Sequence, residues 1–155
     1  MGANFVKPSI LVVCMGNICR SPTGEAVLRS RAASQGIDVL IDSAGTIGYH
    51  HGDAPDKRAQ AAGEARGYSF SGIKARQVTD EDFEIFDMIL AADKDNLADL
   101  KQCCPQHLKY KLSLFLSHGR SSYSEIPDPY YGGEQGFEVV LDLIEEAADA
   151  VLAKI

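Results

Sequence analysis

The sequence predicts an α/β fold, with a four-stranded parallel sheet covered by helices on both faces. Three observations lead there. Short apolar, β-branched runs recur along the chain, which is how strands buried on both faces read. Between them lie segments with helix-capping residues at their starts and, most clearly near the C-terminus, a 3.6-residue apolar period. Strand and helix in alternation imply parallel pairing through helical crossovers, because a tight turn cannot join two parallel strands. The 155 residues, 45% hydrophobic and 24% charged, are sized and composed for one globular domain spanning 1–155.

The first strand is Ile10-Leu11-Val12-Val13, stopped by the turn Met15-Gly16-Asn17. Ser21-Pro22 opens the first helix, with Ser as N-cap and Pro as first helical residue; it runs to Gln35, and Gly36 ends it. Residues 38–42 read as the second strand. A Gly- and His-bearing loop over 45–55 leads to a helix from Asp56 to Arg66, stopped by Gly67. Thr79 and Asp82 form a capping box for a short helix, and Asp80-Glu81-Asp82 balances its dipole. Met88 to Ala92 is the third strand; Asp93 caps the next helix, and Cys103-Cys104 pack at its end. Leu112 to Leu116 is the fourth strand. In the last helix Phe137, Val140, Leu141, Ile144, Ala148, Val151 and Ile155 make one apolar stripe.

Fifteen Lys and Arg stand against 22 Asp and Glu, a formal charge of −7 and the opposite of the balance that holds nucleic acid. Any phosphate site must therefore be local. No apolar run approaches the roughly 20 residues that cross a bilayer. Met1 to Val6 lack the regions of a signal peptide, and Val6 spoils a myristoylation signal at Gly2. Neither nucleic acid nor membrane is expected as a partner, and the expected location is cytoplasmic. There Cys14, Cys19, Cys103 and Cys104 are expected as free thiols. His50 and His51 read as loop residues and not as metal ligands.

Ligands of parallel sheets bind outside the carboxyl ends of the strands, and the first strand delivers Cys14 there. Cys14-Met15-Gly16-Asn17-Ile18-Cys19-Arg20-Ser21 has the skeleton of Cys, five residues, then Arg. That spacing alone is weak evidence. Between a buried strand and a helix N-terminus, however, it reads as a phosphate-binding loop, because backbone N–H groups there share one focus. Inorganic phosphate or another oxyanion would meet the loop amides and the planar fork of Arg20. The same focus would favour the thiolate of Cys14, poised for in-line attack and a cysteinyl-phosphate. Gly16 is expected to supply a backbone conformation barred to other residues. Ser21 could donate its hydroxyl to the sulfur. The plainer alternative makes Cys14 a buried hydrophobe, Arg20 a surface cation and Ser21 only a cap. Asp128, between Pro127 and Pro129, is the candidate acid for the leaving group and then base for water.

The segment Val13-Cys14-Met15-Gly16-Asn17-Ile18-Cys19-Arg20-Ser21-Pro22, with Asp128-Pro129-Tyr130-Tyr131-Gly132-Gly133, resembles the low-molecular-weight protein tyrosine phosphatases. Asp42-Ser43-Ala44-Gly45-Thr46, Ala54-Pro55-Asp56, Lys74-Ala75-Arg76-Gln77 and Asp93-Lys94-Asp95-Asn96-Leu97 keep the family's order across nearly the whole chain. The resemblance implies hydrolysis of phosphotyrosine on tyrosine-phosphorylated proteins, without metal or other cofactor. It casts Cys14 as nucleophile, Arg20 as phosphate and transition-state binder and Asp128 as acid then base. It also has Ser21 stabilise the thiolate and Asn17 brace the loop. Cys19 would trap oxidised Cys14 as a disulfide, against the plainer reading that it packs. There are two departures: Ile73 stands where the family often has a bracing His, and Tyr49 where many eukaryotic members have Trp.

A phenyl ring above the phosphate needs apolar walls. Tyr49, Tyr130 and Tyr131 are candidates, with Met15 and Ile18 on the floor, and the resemblance favours Tyr49 and Tyr130. It also marks Tyr130-Tyr131 as a place where some members are themselves phosphorylated. Two rivals stand beside this reading. An arsenate reductase of the same fold would need further spaced cysteines, whereas Cys103 and Cys104 are adjacent. A non-catalytic phosphate-binding or redox-sensing module would use the loop without turnover.

Overall fold

A computed structural model describes residues 7–129 and 133–155. The strands are β1 (Ser9–Cys14), β2 (Leu40–Gly45), β3 (Met88–Ala91) and β4 (Leu112–Leu114). The helices are α1 (Arg20–Ser34), α2 (Lys57–Glu64), α3 (Asp80–Ile85), α4 (Lys94–Cys103) and α5 (Gly133–Leu152). Short 3₁₀ turns flank β4 at Gln106–Lys111 and Phe115–His118. All four strands are parallel, in the order β2-β1-β3-β4. The order reverses beside β1, so a crevice opens at its carboxyl end.

β1 is buried at every residue, as a central strand with both faces covered must be. Alternation sends Ile10, Val12 and Cys14 to one face, into a core with Val27 and Leu28 of α1 and Leu141 and Ile144 of α5. Leu11 and Val13 go to the other, against Phe83 of α3 and Leu100 of α4. Arg66, just beyond α2, is held by Glu138, Asp142 and Glu145 of α5 at 2.7, 2.9 and 2.9 Å. Among the described residues no helix is long and apolar enough to cross a membrane.

Asp93 caps α4, accepting from the Asn96 N–H at 2.7 Å, and Asp82 closes the capping box by accepting from the Thr79 N–H at 2.8 Å. Five local expectations need correction. Ser21 is not the cap of α1; the helix opens two residues earlier, on Cys19, because the Ser21 hydroxyl is engaged inside the fold. β2 starts at Leu40 and continues to Gly45, following the register of β1. β4 ends at Leu114, where the chain coils into a 3₁₀ turn that buries Phe115 and Leu116. Ile155 falls beyond α5 and is exposed. Cys104 is buried at the end of α4, but Cys103 is exposed.

Candidate active site

The loop from Cys14 to Arg20 wraps the carboxyl end of β1. Cys14 is 3% exposed and Arg20 5%. Gly45, beside Cys14 in the sheet, lets the loop settle; a Cβ there would stand 2.6 Å from the Met15 carbonyl. The Thr46 and Ile47 N–H groups donate to the Cys14 and Met15 carbonyls at 2.9 and 3.1 Å. The carbonyls thus turn outward to the β2 loop. The N–H groups of Met15 through Cys19 donate to no acceptor among the described residues. Consecutive backbone donors left without acceptors form a nest for an anion.

The left-handed residue in this loop is Asn17, at φ 58°, and not Gly16 as the sequence led us to expect. Gly16 gives the His50 ring room: a Cβ there would lie 3.0 Å from it, so the ring would have to shift. Asn17 tolerates its conformation because its side chain is fully engaged. Its Oδ1 accepts from the Arg76 N–H at 3.0 Å, which assigns Nδ2 as donor to Ser21 Oγ at 2.7 Å and Ser43 Oγ at 3.0 Å. Ser43 passes its own hydrogen to Glu25 Oε1 at 2.6 Å, and Arg29 pairs with Glu25. Ser21 Oγ, accepting from Asn17, stands 3.0 Å from Cys14 Sγ, where either atom can be the donor, and 3.4 Å from the Ala44 carbonyl, to which it can also donate. Burial pushes the Glu25 carboxyl above its ordinary 4.5, against the pull of Ser43 and Arg29. Ser43 and Glu25 were not foreseen as parts of the site. Ile73 sits in the apolar core.

Arg20 Nη1 donates to Asp93 Oδ2 at 2.7 Å and to the Ile126 carbonyl at 3.1 Å. Its Nε and Nη2 make no hydrogen bond among the described residues, and Nη2 lies 4.0 Å from Asp128 Oδ2. Burial alone would ease its proton away, but the Asp93 bond and the charges of Cys14, Asp93 and Asp128 raise its pKa further. It stays cationic.

Above the loop is a cleft of about 280 Å³. Met15, Gly16, Ile18, Cys19, Arg20, Tyr49 and Asp128 line it as expected, with Cys14 below. Met15 and Tyr49 stand exposed on its rim, so Met15 is not on the floor. Ile47 and His50 line it unforeseen, the His50 ring edge-on to Tyr49 at 4.9 Å and its Nδ1 3.3 Å from Asp53. Burial pushes the Cys19 thiol up to about 12, with Asp56 and Cys14 adding to it. Tyr130 and Tyr131 lie outside the described residues.

A thiol, unused amides and a buried guanidinium along one loop of one cleft suit the binding of a phosphate-like anion, and the sheet that carries them is parallel α/β. The comparisons agree. The family model described as low molecular weight phosphotyrosine protein phosphatase matches residues 9–155. The human protein named low molecular weight phosphotyrosine protein phosphatase is 42% identical over 156 residues, covering 98% of each chain. A protein tyrosine phosphatase structure from Entamoeba histolytica superposes with TM-score 0.92 at 40% identity, covering 96% of each chain. Wzb of Vibrio vulnificus superposes with TM-score 0.84 at 32% identity, over 97% of this chain and all of that one. The chain belongs to the low molecular weight phosphotyrosine protein phosphatase family. It is a protein-tyrosine phosphatase, and phosphorylated proteins are its substrates.

Proposed function

We propose that residues 1–155 act as one phosphatase domain working through a cysteinyl-phosphate on Cys14. The observation that carries this is Cys14 in one cleft with Arg20 and Asp128, at the head of a loop whose Met15–Cys19 amides donate to no acceptor among the described residues. The amides and the Arg20 fork hold three phosphate oxygens, leaving phosphorus facing sulfur. Sulfur attacks in line; the S–P bond forms as the P–O bond to the phenol breaks. Asp128 gives that oxygen its proton. Asp128, now a carboxylate, takes a proton from water, whose oxygen attacks phosphorus. The S–P bond then breaks, and its electron pair returns to a sulfur that accepts from the Ser21 hydroxyl. Tyr49 and Tyr130 flank the ring of the substrate. The Wzb neighbour was solved in complex with benzylphosphonate, a phenyl ring joined to a phosphonate through one methylene, which supports an aryl ligand here.

The cytoplasm is the compartment we infer, supported by four free thiols. Under peroxide, Cys14 thiolate would become a sulfenic acid and the Cys19 thiol would displace its oxygen, forming a disulfide and releasing water. The test of the mechanism is Cys14→Ser. Turnover of p-nitrophenyl phosphate should fall by a factor on the order of 10⁴ to 10⁶, while calorimetry still detects phosphate binding. An active variant overturns the mechanism.

A further inference from the structure

Beside the cleft lies a second groove of about 380 Å³, lined by Asp95, Asn96, Asp99 and Glu125 and sharing Arg20 and Asp128 with it. Helix α4 sets Asp95 and Asp99 four residues apart on one face, where like charges repel. Neither makes a hydrogen bond or ion pair among the described residues. Among the described residues Glu125 accepts only the Lys94 N–H, at 2.8 Å. A second observation is independent of charge. Asn96, 3% exposed, forms part of the groove wall, and its Oδ1 finds no hydrogen-bond donor among the described residues. Buried acceptors are normally paired, so an orphan beside unpaired carboxylates points to a donor that arrives with a ligand.

We propose that this groove receives the ammonium or guanidinium of a Lys or Arg that flanks the phosphotyrosine in the substrate. The proposal rests on the phosphotyrosine reading of the adjoining cleft. A peptide whose phosphotyrosine fills the cleft must lead its neighbouring residues over the cleft's edge, and Asp128 and Arg20 are where the groove begins. The occupant is cationic, because the groove offers carboxylates and an amide oxygen. It is a side chain and not a bare metal ion: the acids are divided between a face of α4 and the loop of Glu125, and no group of three His, Cys, Asp or Glu converges as metal ligands among the described residues. The global charge of −7 works in the same direction, repelling acidic peptides and drawing basic ones.

The test uses phosphotyrosine peptides of one length with Lys, Ala or Glu on either side of the phosphotyrosine. p-Nitrophenyl phosphate, which has no flanking residues, serves as the groove-independent substrate. The Lys peptides should exceed the Glu peptides in kcat/KM by about tenfold at low salt, the scale of a few exposed ion pairs. At about 1 M salt the difference should largely vanish. In Asp95→Asn/Asp99→Asn it should shrink to about twofold, and Asn96→Ala should lower it by about threefold. Hydrolysis of p-nitrophenyl phosphate should be unchanged in both. No Lys preference in the parent, or one undiminished in either variant, overturns the groove while leaving the phosphatase standing. A parent that fails on p-nitrophenyl phosphate overturns the phosphatase and the groove with it.

Discussion

The floor of the cleft and its rim are built on opposite terms. On the floor, Cys14, Asn17, Arg20 and Ser21 are buried, and each is tied to at least one other side chain. On the rim, Met15, Ile47 and Tyr49 are exposed, Tyr49 at 83%, and Asp128 stands half out of the fold. A buried polar network has one good arrangement, so the floor presents the same focus to any aryl phosphate. Exposed side chains on loops adjust to what arrives. Reaction is therefore fixed below and selection is negotiated above. Substitutions below should change kcat and stability together; those above should change KM.

Asp128→Ala tests the boundary most severely, since Asp128 sits on the rim yet is the acid and base of the proposed mechanism. It should lower kcat by about 10²- to 10⁴-fold for poor leaving groups and far less for good ones. A uniform loss across a leaving-group series would remove its role as acid. Arg20→Lys keeps the charge but loses the fork, and should cost about 10²- to 10³-fold in kcat, with weaker phosphate inhibition. Asn17→Ala leaves Ser21, Ser43 and the Arg76 N–H without their partner in a left-handed backbone. Urea unfolding should show a loss of about 1–3 kcal/mol, and kcat should fall with it. Tyr49→Ala, on the rim, should raise KM by a few-fold with kcat and stability nearly unchanged. A large fall in kcat there would erase the distinction between floor and rim.

The smallest effect concerns pH. The folded protein holds the Glu25 carboxyl above its ordinary value, so the folded state binds a proton that the unfolded chain has released. That contribution is complete below 4.5 and is lost as pH rises through the raised value. The stability of Glu25→Gln, which has no such proton, should therefore gain on the parent as pH rises across that window in denaturant titrations.

The parallel sheet was legible because fully buried strands leave unbroken apolar runs, and the position of Cys14 followed from where such sheets bind ligands. Arg20 and Asp128 could be placed at the same end once the strands were parallel. What escaped were arrangements that depend on three-dimensional contact. Ser21-Pro22 has the composition of a helix start, yet burial of the Ser21 hydroxyl against sulfur moved the cap to Cys19. The turn Met15-Gly16-Asn17 favours Gly as the left-handed residue; three side-chain hydrogen bonds made it Asn17 instead. Glu25 did leave a signal, a lone acid just before the apolar run Ala26-Val27-Leu28, and Ser43 lies one strand over from β1. His50 and Ile47 left none, since loop residues reach a cleft by chain path and not by period.

Asp93 divides its carboxylate between two clients: one oxygen holds the first turn of α4, the other holds the guanidinium of Arg20. The start of a helix and the proposed grip on the anion are thus hinged on a single side chain. Thermal fraying of α4 and slackening of that grip become one event, so occupancy of the cleft by phosphate should reach through Asp93 and quiet amide exchange at the far end of the same carboxylate.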